Sequence, residues 1–210
     1  MYMQDISTQL QKGKARDVKQ LVQEALDAGI SPVQILNEGL IHGMSVIGGK
    51  FKNNEVFVPE VLIAARAMNA GLEILRPALV LAGTKSRGKA IICTVQGDLH
   101  DIGKNLVKMM IEGQGVDVVD LGVDIDSDTV VEAIRVHQPN VVCLSALLTT
   151  TMMNQKAIID AIRKAGLRDR VRILVGGAPV TAQFATEIGA DGYTADAASA
   201  AEAVLSFLKV

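Results

Sequence analysis

The residues with the clearest chemical potential are Asp98 and His100, which lie in the stretch 97–104 (GDLHDIGK). An apolar, β-branched run at 90–95 precedes this stretch, and a helix-like sequence that begins near Asn105 follows it. A histidine is therefore expected at the carboxyl end of a strand, where ligands bind in open α/β sheets. An imidazole on such a loop can coordinate a metal that the chain does not otherwise ligate. We interpret His100 as an axial metal ligand.

A carboxylate two residues before this histidine gives it a partner. A neutral imidazole can bind a metal through one ring nitrogen while its other N–H binds a carboxylate, which fixes the tautomer and makes the ligand more basic. Asp98 is placed to be that carboxylate. We therefore predict that Asp98 acts behind His100 and does not itself touch the metal.

Three motifs in order carry a family resemblance. Asp98, His100 and Gly103 match the D-x-H-x-x-G signature of cobalamin-binding domains, Ser145-Ala146-Leu147 is an S-x-L motif, and Gly176-Gly177 follows at the end of a later strand. Three marks in this order are far more specific than one short motif alone. The chain resembles cobalamin-binding domains of methyltransferase systems such as methionine synthase.

The resemblance implies a ligand set. In that family the histidine displaces the cofactor's own benzimidazole from cobalt, and the freed nucleotide tail enters a slot beside the sheet. A hydroxyl six residues after the S-x-L serine, here Thr151, completes the relay to Asp98. Ser145 then binds the nucleotide base, and Leu147 and Thr149 line the corrin edge. A second interpretation of Thr150 and Thr151, as caps of the next helix, stays open.

The predicted cofactor-binding residues surround this loop and the two later strand ends. The glycines are expected to leave room for a bulky nucleotide tail, although ordinary loop glycines are an equal alternative for each taken singly. The predicted residues here are Gly97, Asp98, Leu99, His100, Asp101, Ile102, Gly103, Ser145, Leu147, Thr149, Thr151, Gly176 and Gly177.

Composition excludes several classes of function. The chain has 210 residues, 49% hydrophobic and 21% charged, with a net charge of -2. That charge gives no broad positive field, so nucleic acid is not an expected partner. No run approaches the roughly 18 apolar residues of a membrane span, and a cytoplasmic protein is expected. Cys93 and Cys143 lie in β-like runs and are expected to be buried thiols, because their spacing provides no zinc site.

A cluster of carboxylates near residue 120 is not interpreted as a metal site. It resembles a calcium-binding run only superficially, since the glycine and the terminal glutamate of an EF-hand loop are missing. We expect a solvated strand-loop-helix edge. The residues are Asp117, Asp120, Asp124, Asp126 and Asp128.

Residues 1–84 are predicted to form a helical domain. Apolar residues recur at three-four spacing, a second helix is expected to begin at Ser31-Pro32 and to stop at Gly48-Gly49, and a third begins at Pro59. Pro77 should break or kink that third helix near its end. With a short amino-terminal helix, these make a four-helix bundle.

Residues 89–210 are predicted to form an α/β domain. After a linker at 82–89, short β-branched runs alternate with helix-length segments, which indicates a parallel sheet covered on both faces. About five strands are expected in a doubly wound sheet. The family resemblance implies the flavodoxin-like strand order, which places Asp98 and His100 at the topological switch point.

The helical half adds a second resemblance. The runs 43–48 (GMSVIG), 57–61 (FVPEV) and 64–68 (AARAM) resemble the cap bundle of cobalamin-dependent methyltransferases, which shields the methyl-bearing face of the corrinoid. The candidates for that cover are Met44, Phe57, Val58 and Leu62, each with core packing as an equal alternative. Methyl transfer would require the cap to open, so residues 84–88 are expected to act as a hinge.

The resemblance implies a carrier. One partner, a substrate-specific methyltransferase, would load a methyl group onto Co(I), and a second methyltransferase would pass it from methyl-Co(III) to an acceptor such as tetrahydrofolate or a thiol. A reductive activation protein is also expected. The chain would be a subunit of such a system and not a complete enzyme. Two alternatives remain: a cobalamin-binding subunit of a carbon-skeleton mutase, disfavoured by the cap, and a cobalamin-dependent sensor, which would need a DNA-binding segment.

Overall fold

The computed structural model describes residues 2–83 and 86–209, and these divide into two compact units. The first comprises Met1–Ser86 with Gly113–Gly115, and the second comprises Arg87–Glu112 with Val116–Val210. The predicted domains, 1–84 and 89–210, stay a prediction as to their limits. Thr84 and Lys85, in the predicted linker and hinge, lie outside the described residues.

The first unit is helical. Its elements are α1 (Tyr2–Gln11), α2 (Ala15–Asp27), α3 (Pro32–Gln34), a π-helical segment (Ile35–Ile41), α4 (His42–Lys52) and α5 (Val58–Leu81). Pro32 stands at the first position of α3, where its missing N–H would have no intrahelical partner in any case. Since α3, the π-helical segment and α4 follow one another without a break, the unit contains four helical rods, as the apolar spacing predicts.

One predicted helix end is wrong. Gly48 and Gly49 do not stop the second rod, which continues to Lys52 and ends before Asn54, whose φ is 59°. Glycine inside a helix costs only about 1 kcal/mol, and packing of the rod offsets that cost. Pro77 lies inside α5, which runs on to Leu81, so the helix does not end at this proline; a kink there, the other predicted outcome, stays a prediction.

The core of the first unit is aliphatic. α1, α2, the π-helical segment, α4 and α5 pack on one another through side chains that are almost fully removed from solvent. The largest of them are Ile6, Leu10, Ile35, Leu40, Met44, Ile47 and Leu75. Burial of each such side chain contributes roughly 1.5–3 kcal/mol, so these aliphatic contacts are a main source of the bundle's stability.

The second unit alternates strands and helices. Its strands are β1 (Lys89–Val95), β2 (Asp117–Ile125), β3 (Val141–Ser145), β4 (Arg172–Gly176) and β5 (Gly192–Tyr193). Its helices are α6 (Ile102–Glu112), α7 (Ser127–His137), α8 (Met153–Lys164), a short 3-10 helix (Arg168–Arg170), α9 (Ala182–Ile188) and α10 (Ala197–Phe207).

All strand pairs are parallel, in the order β2-β1-β3-β4-β5. This confirms the predicted five-stranded, flavodoxin-like α/β fold. In that order the chain reverses its direction of winding beside β1, so the loops after β1 and β3 border the crevice where ligands bind. The β1–α6 loop, which carries Asp98 and His100, therefore lies at the switch point.

β2 departs most from prediction. It extends four residues beyond the predicted end at Leu121, and its register against β1 shifts twice, since Ile92, Cys93 and Val95 pair with Asp120, Gly122 and Ile125. Gly122 and Asp124 have φ values of 96° and 57°. These irregularities leave more residues on β2 than on β1, which is the property of β-bulges.

Both faces of the sheet are covered. The helices α7, α8 and α9 pack one face, through a cluster that includes Ile91, Val142, Ile158, Ile159 and Ile173.

Cys93 and Cys143 are buried free thiols, as predicted, and burial raises the pKa of each to about 12. None of the helices in the described ranges is both long and apolar enough to cross a membrane.

Candidate functional site

The loop from β1 to α6 begins with a left-handed turn. Gly97 has a φ of 81°, a conformation that is disfavoured for side chains with a Cβ. Its N–H donates to Asp124 Oδ1 at 2.7 Å, and Gln96 O accepts from Asn154 Nδ2 at 2.7 Å. The turn is therefore held from β2 on one side and from α8 on the other.

Asp98 is the most completely bonded carboxylate of the site. Its side chain is fully buried, and Oδ2 accepts hydrogen bonds from Leu147 N–H at 2.7 Å, the Thr151 hydroxyl at 2.7 Å and Leu148 N–H at 3.3 Å. Oδ1 accepts from His100 N–H at 3.1 Å and lies 2.7 Å from His100 Nδ1. The structure thus brings Asp98, His100 and Thr151 together, in the arrangement expected from the sequence.

These hydrogen bonds keep the carboxylate ionised. Burial of Asp98 raises its pKa, but the hydrogen bonds from Leu147, Thr151 and His100 together outweigh burial, so its pKa lies well below the usual value. An ionised Asp98 accepts a hydrogen bond from a protonated Nδ1. The ring is then in the Nδ1–H tautomer, and its free lone pair is on Nε2.

The second ring nitrogen of His100, Nε2, is not engaged by the described protein. About half of its side chain (52%) is exposed, and no hydrogen bond to Nε2 occurs among residues 2–83 and 86–209. Its carbonyl oxygen accepts from the Thr94 hydroxyl at 2.8 Å, so the backbone as well as the ring is fixed. The protein therefore fixes the imidazole through Nδ1 and the backbone, while about half of the side chain stays accessible to a ligand.

Exposed apolar side chains occur in the loops that follow β1 and β3, and at the start of α8. Leu99, Ile102, Leu147, Leu148 and Met153 have exposed fractions between 42% and 77%. Asp101 and Thr149 are also exposed, and Ser145 is half-buried at the end of β3. Exposed apolar side chains at one end of a sheet are typical of a ligand-binding surface.

The helix-capping interpretation of Thr151 is wrong. Its hydroxyl bonds Asp98 Oδ2 and Leu148 O, and Met152 at the start of α8 makes no side-chain cap. The backbone there is closed by a turn from Leu148 O to the N–H groups of Thr151 and Met152. Thr151 therefore serves the carboxylate and not the helix end.

Gly177 has a steric reason to be glycine. Its φ is 125°, and a Cβ there would lie 1.8 Å from the carbonyl oxygen of Ala146. The close approach of the loops after β3 and β4 therefore excludes any side chain. A Cβ on Gly176 would meet Thr194 O at 3.4 Å, and one on Gly103 would meet nothing within 4 Å, so neither requires glycine sterically. The roles of these three residues toward a nucleotide tail stay predictions.

The four predicted cap residues differ in accessibility. Phe57 and Leu62 are 64% and 42% exposed, Val58 is half-buried, and Met44 is 1% exposed. The burial of Met44 within α4 favours the core-packing alternative over cofactor contact. Contact of all four residues with a cofactor stays a prediction.

Sequence reasoning missed Gln155. Its side chain is fully buried, and Nε2 donates to Leu144 O and Gly176 O, each at 3.0 Å, while Oε1 has no partner in the part of the chain that the structure describes. It ties the ends of β3 and β4 together. A signal existed, since Gln155 begins the otherwise apolar stripe Ile158, Ile159, Ile162 of α8.

The carboxylates near residue 120 lie, as predicted, at a solvated edge, since all but the half-buried Asp120 are exposed. Sequence reasoning missed their contacts: Asp126 caps α7 by accepting from Thr129 N–H at 2.8 Å, Asp124 holds Gly97, and Asp120 pairs with the buried Lys104. The spacing of the carboxylates did not reveal this, because the shifted register of β2 decides which of them face the loop.

Comparison with known proteins agrees with this geometry. Two family models, each described as a B12 binding domain, match residues 88–205 and 2–76. Monomethylamine corrinoid protein 1 of Methanosarcina acetivorans is 45% identical over 195 residues, which are 90% of this chain and 89% of the relative. The trimethylamine corrinoid protein of Methanosarcina barkeri is 44% identical over 194 residues, 91% of this chain and 89% of the relative.

A solved structure extends the likeness to both units. The methanol:cobalamin methyltransferase complex MtaBC from Methanosarcina barkeri contains a chain that matches with a TM-score of 0.89 and 29% identity, over 99% of this chain and 80% of that one. With the motifs, the fold and the arrangement around Asp98 in agreement, the chain belongs to the B12 binding domain family, as a relative of the methylamine corrinoid proteins.

Proposed function

We propose that this protein is a corrinoid protein that carries a methyl group on cobalt between two methyltransferases. The observation that carries the proposal is the His100 ring, which is about half exposed, whose Nδ1 lies 2.7 Å from the buried carboxylate of Asp98, and whose Nε2 has no hydrogen bond within residues 2–83 and 86–209. A corrinoid bound there would supply a cobalt atom able to accept and release a methyl group.

The donor set fits a corrinoid. A single imidazole holds a metal well only when other ligands fill the remaining positions, and a corrin ring fills the four positions around cobalt. Nε2 of His100 would be the lower ligand, and Asp98, held by Thr151 and two backbone amides, would keep the ring in the required tautomer. The exposed apolar side chains of the loops after β1 and β3 would pack under the corrin edge.

The relay also gives the chain a way to respond to the state of the metal. A histidine that donates Nδ1–H to an ionised carboxylate is a stronger ligand than a free imidazole. The same pair could take up a proton at Nε2 whenever that nitrogen is not bound to a metal, because Asp98 would stabilise the charge of the resulting imidazolium. Release of the lower ligand would then be coupled to proton uptake at Nε2.

The partners follow from the relatives. The two relatives are a monomethylamine and a trimethylamine corrinoid protein, so we propose a methylated amine as the methyl donor and a methyltransferase specific for it as the first partner. A second methyltransferase would take the methyl group to tetrahydrofolate or a thiol, and a reductive activation protein would restore the cofactor. Methanol, named for the 29% identical complex, is the alternative donor.

A nitrogen-labelling experiment tests the ligand. The full chain is produced with ¹⁵N-histidine, loaded with unlabelled hydroxocobalamin, reduced to Co(II) and examined by electron paramagnetic resonance. A histidine ligand from the protein splits each cobalt line into a doublet, whereas the cofactor's own ¹⁴N-benzimidazole gives a triplet. We expect the doublet in the wild-type protein, and its loss in His100→Gln.

The control is a histidine outside the site. His137, in the last turn of α7, is replaced by Gln in the same labelled background, and the doublet should persist. A persistent triplet in the wild-type protein, or a sample that retains no corrinoid after washing, would contradict the proposal.

A further inference from the structure

We propose that Asp120 and Asp124 of β2 are positioning residues that hold the two ends of the loop on which His100 is presented. The inference rests on the proposed function for its consequence, but the contacts that carry it belong to the protein alone. Neither carboxylate contacts the His100 ring, so each would act through the loop backbone or through a neighbouring side chain.

Asp124 holds the amino end of the loop. Its Oδ1 accepts from Gly97 N–H at 2.7 Å, and its own N–H donates to the carbonyl oxygen of Asp98 at 3.0 Å. One residue of β2 thereby binds the left-handed turn and the backbone of Asp98. The direction in which the Asp98 side chain leaves the loop depends on both bonds.

Asp120 holds the other end. Lys104, in the first turn of α6, is 3% exposed, and its Nζ lies 2.6 Å and 2.7 Å from the two carboxylate oxygens of Asp120. The same Nζ donates to Asn105 Oδ1 at 2.8 Å, and Asn105 Nδ2 donates to Asp101 Oδ2 at 3.0 Å. The chain of contacts thus runs from β2 back to the residue that follows His100.

The irregular register of β2 makes both contacts possible. Between Asp120 and Asp124 the strand carries Gly122 at a φ of 96°, whose N–H donates to Asp120 Oδ1 at 3.0 Å, and Asp124 itself has a φ of 57°. Aspartate is among the few residues with a Cβ that adopt the left-handed region readily. Bulges of this kind redirect side chains near active sites, and here they direct two carboxylates to one loop.

The consequence is an imidazole that is ordered before any ligand arrives. The Thr94 bond to His100 O and the five contacts to the Asp98 carboxylate fix the middle of the loop, while β2 fixes its ends. A ligand then meets a ring that has already lost its conformational freedom, so that loss is not subtracted from the binding free energy. Partners that orient a metal-binding histidine typically change metal affinity by about 10- to 100-fold.

Two substitutions at Asp124 distinguish the contribution of its carboxylate from that of its left-handed backbone conformation. Asp124→Gly keeps the left-handed conformation but removes the acceptor, whereas Asp124→Asn keeps both the conformation and an acceptor oxygen. The matched control is Asp117→Asn, which removes the same charge from the opposite end of β2. Asp117 lies there opposite Lys89 in the register of β1 and β2.

The measurement in the apoprotein is ¹⁵N NMR of the His100 ring, which reports the ratio of the Nδ1–H to the Nε2–H tautomer. We expect Asp124→Gly to lower that ratio and to weaken hydroxocobalamin binding about tenfold. Asp124→Asn should restore most of both, and Asp117→Asn should match the wild-type protein. An unchanged ring spectrum together with unchanged affinity in Asp124→Gly would overturn the role of Asp124.

Asp120 needs a paired substitution. Asp120→Asn alone would leave the buried Lys104 charge without its carboxylate, which destabilises a fold strongly. Asp120→Asn with Lys104→Gln removes both charges and keeps polar side chains at each position. We expect this double variant to fold and to show a lowered Nδ1–H to Nε2–H ratio at His100. A wild-type ring spectrum in the folded double variant would overturn the role of Asp120.

The two readouts separate this inference from the proposed function. The ring tautomer is measured without cofactor, so it tests the loop contacts alone. If the wild-type protein does not bind hydroxocobalamin, the proposed function fails, while a tautomer shift in Asp124→Gly still supports the positioning role.

Discussion

In the α/β unit, one aspartate lies at the carboxyl ends of the strands and another at their amino ends, and the two are bound by different kinds of donor. At the carboxyl edge, Asp98 is bound by a hydroxyl, backbone amides and an imidazole. At the amino edge, Asp191 accepts from Arg168 at 2.8 Å, from Arg172 at 3.1 Å and from Ile173 N–H at 2.7 Å. The first carboxylate has no permanent cation among these donors, and the second has two.

The difference distinguishes a structural carboxylate from a functional one. Two guanidinium groups neutralise Asp191 at any physiological pH, so that cluster has no remaining preference for a further cation. Asp98 keeps its negative charge through hydrogen bonds from backbone amides, a hydroxyl and a histidine, none of which brings a permanent compensating charge. Its charge is therefore available to polarise His100 toward a metal.

The largest expected contrast concerns two glycines. Gly177→Ala at the carboxyl edge places a Cβ 1.8 Å from backbone atom Ala146 O, whereas Gly189→Ala at the amino edge places one 1.9 Å from the movable end of the Arg163 side chain. We expect a loss of about 3 kcal/mol in the free energy of unfolding for the first and about 1 kcal/mol for the second. Urea denaturation checks both; equal losses would show that the tight loop approach relaxes freely.

The two aspartates should also respond unequally to neutralisation. Asp98→Asn places an amide donor against groups that already donate, so some of Leu147 N–H, Thr151 and His100 lose their acceptor in a buried place, at a cost of about 2 kcal/mol. Asp191→Asn leaves arginines that are partly exposed, and we expect about 1 kcal/mol. Chemical denaturation at pH 7 measures the pair, and a greater loss at Asp191 would reverse the comparison.

Low pH should reduce the difference in stability between the wild-type protein and Asp98→Asn. Because its pKa is lower in the folded protein than the unfolded value of about 3.9, Asp98 contributes stability that is fully present above that value and is lost as the pH falls through the folded pKa. The gap in unfolding free energy between the wild-type protein and Asp98→Asn should therefore narrow as the pH falls below about 4. Unfolding curves over a pH series test this; a constant gap would mean that the carboxylate does not titrate as the contacts require.

The smallest effect is expected at the hydroxyl. Thr151→Val keeps the shape of the side chain but removes one donor to Asp98, which should cost about 1 kcal/mol and raise the pKa of Asp98. Thr151→Ser keeps the donor and serves as the control. Carbon-13 NMR of the labelled Asp98 carboxyl follows the titration, and identical titration curves for the Val and Ser variants would show that the hydroxyl does not stabilise the carboxylate.

Much of the fold could be read from local patterns. The alternation of β-branched runs with helix-length segments predicts a parallel sheet because each strand must be buried on both faces. The motifs around Asp98, His100 and Gly103, with Ser145 and Gly176 later in the chain, predict the family by resemblance. Because parallel strands end at one edge of a sheet, these residues are also expected to lie near one another. The continuation of α4 past Gly48-Gly49 to Lys52 could not be predicted, because tertiary packing outweighs a cost of about 1 kcal/mol per glycine.

What the sequence alone determined is the set of chemical groups and the edge of the sheet at which they meet, since both follow from residue type and strand order. Only the tertiary structure decided which carboxylates of β2 serve the loop, that Thr151 bonds Asp98 and not the end of α8, and that Gln155 bridges two strand ends. Those outcomes depend on register and on loop approach. A shift of one residue moves a side chain to the other face of a strand, and no local pattern encodes such a shift.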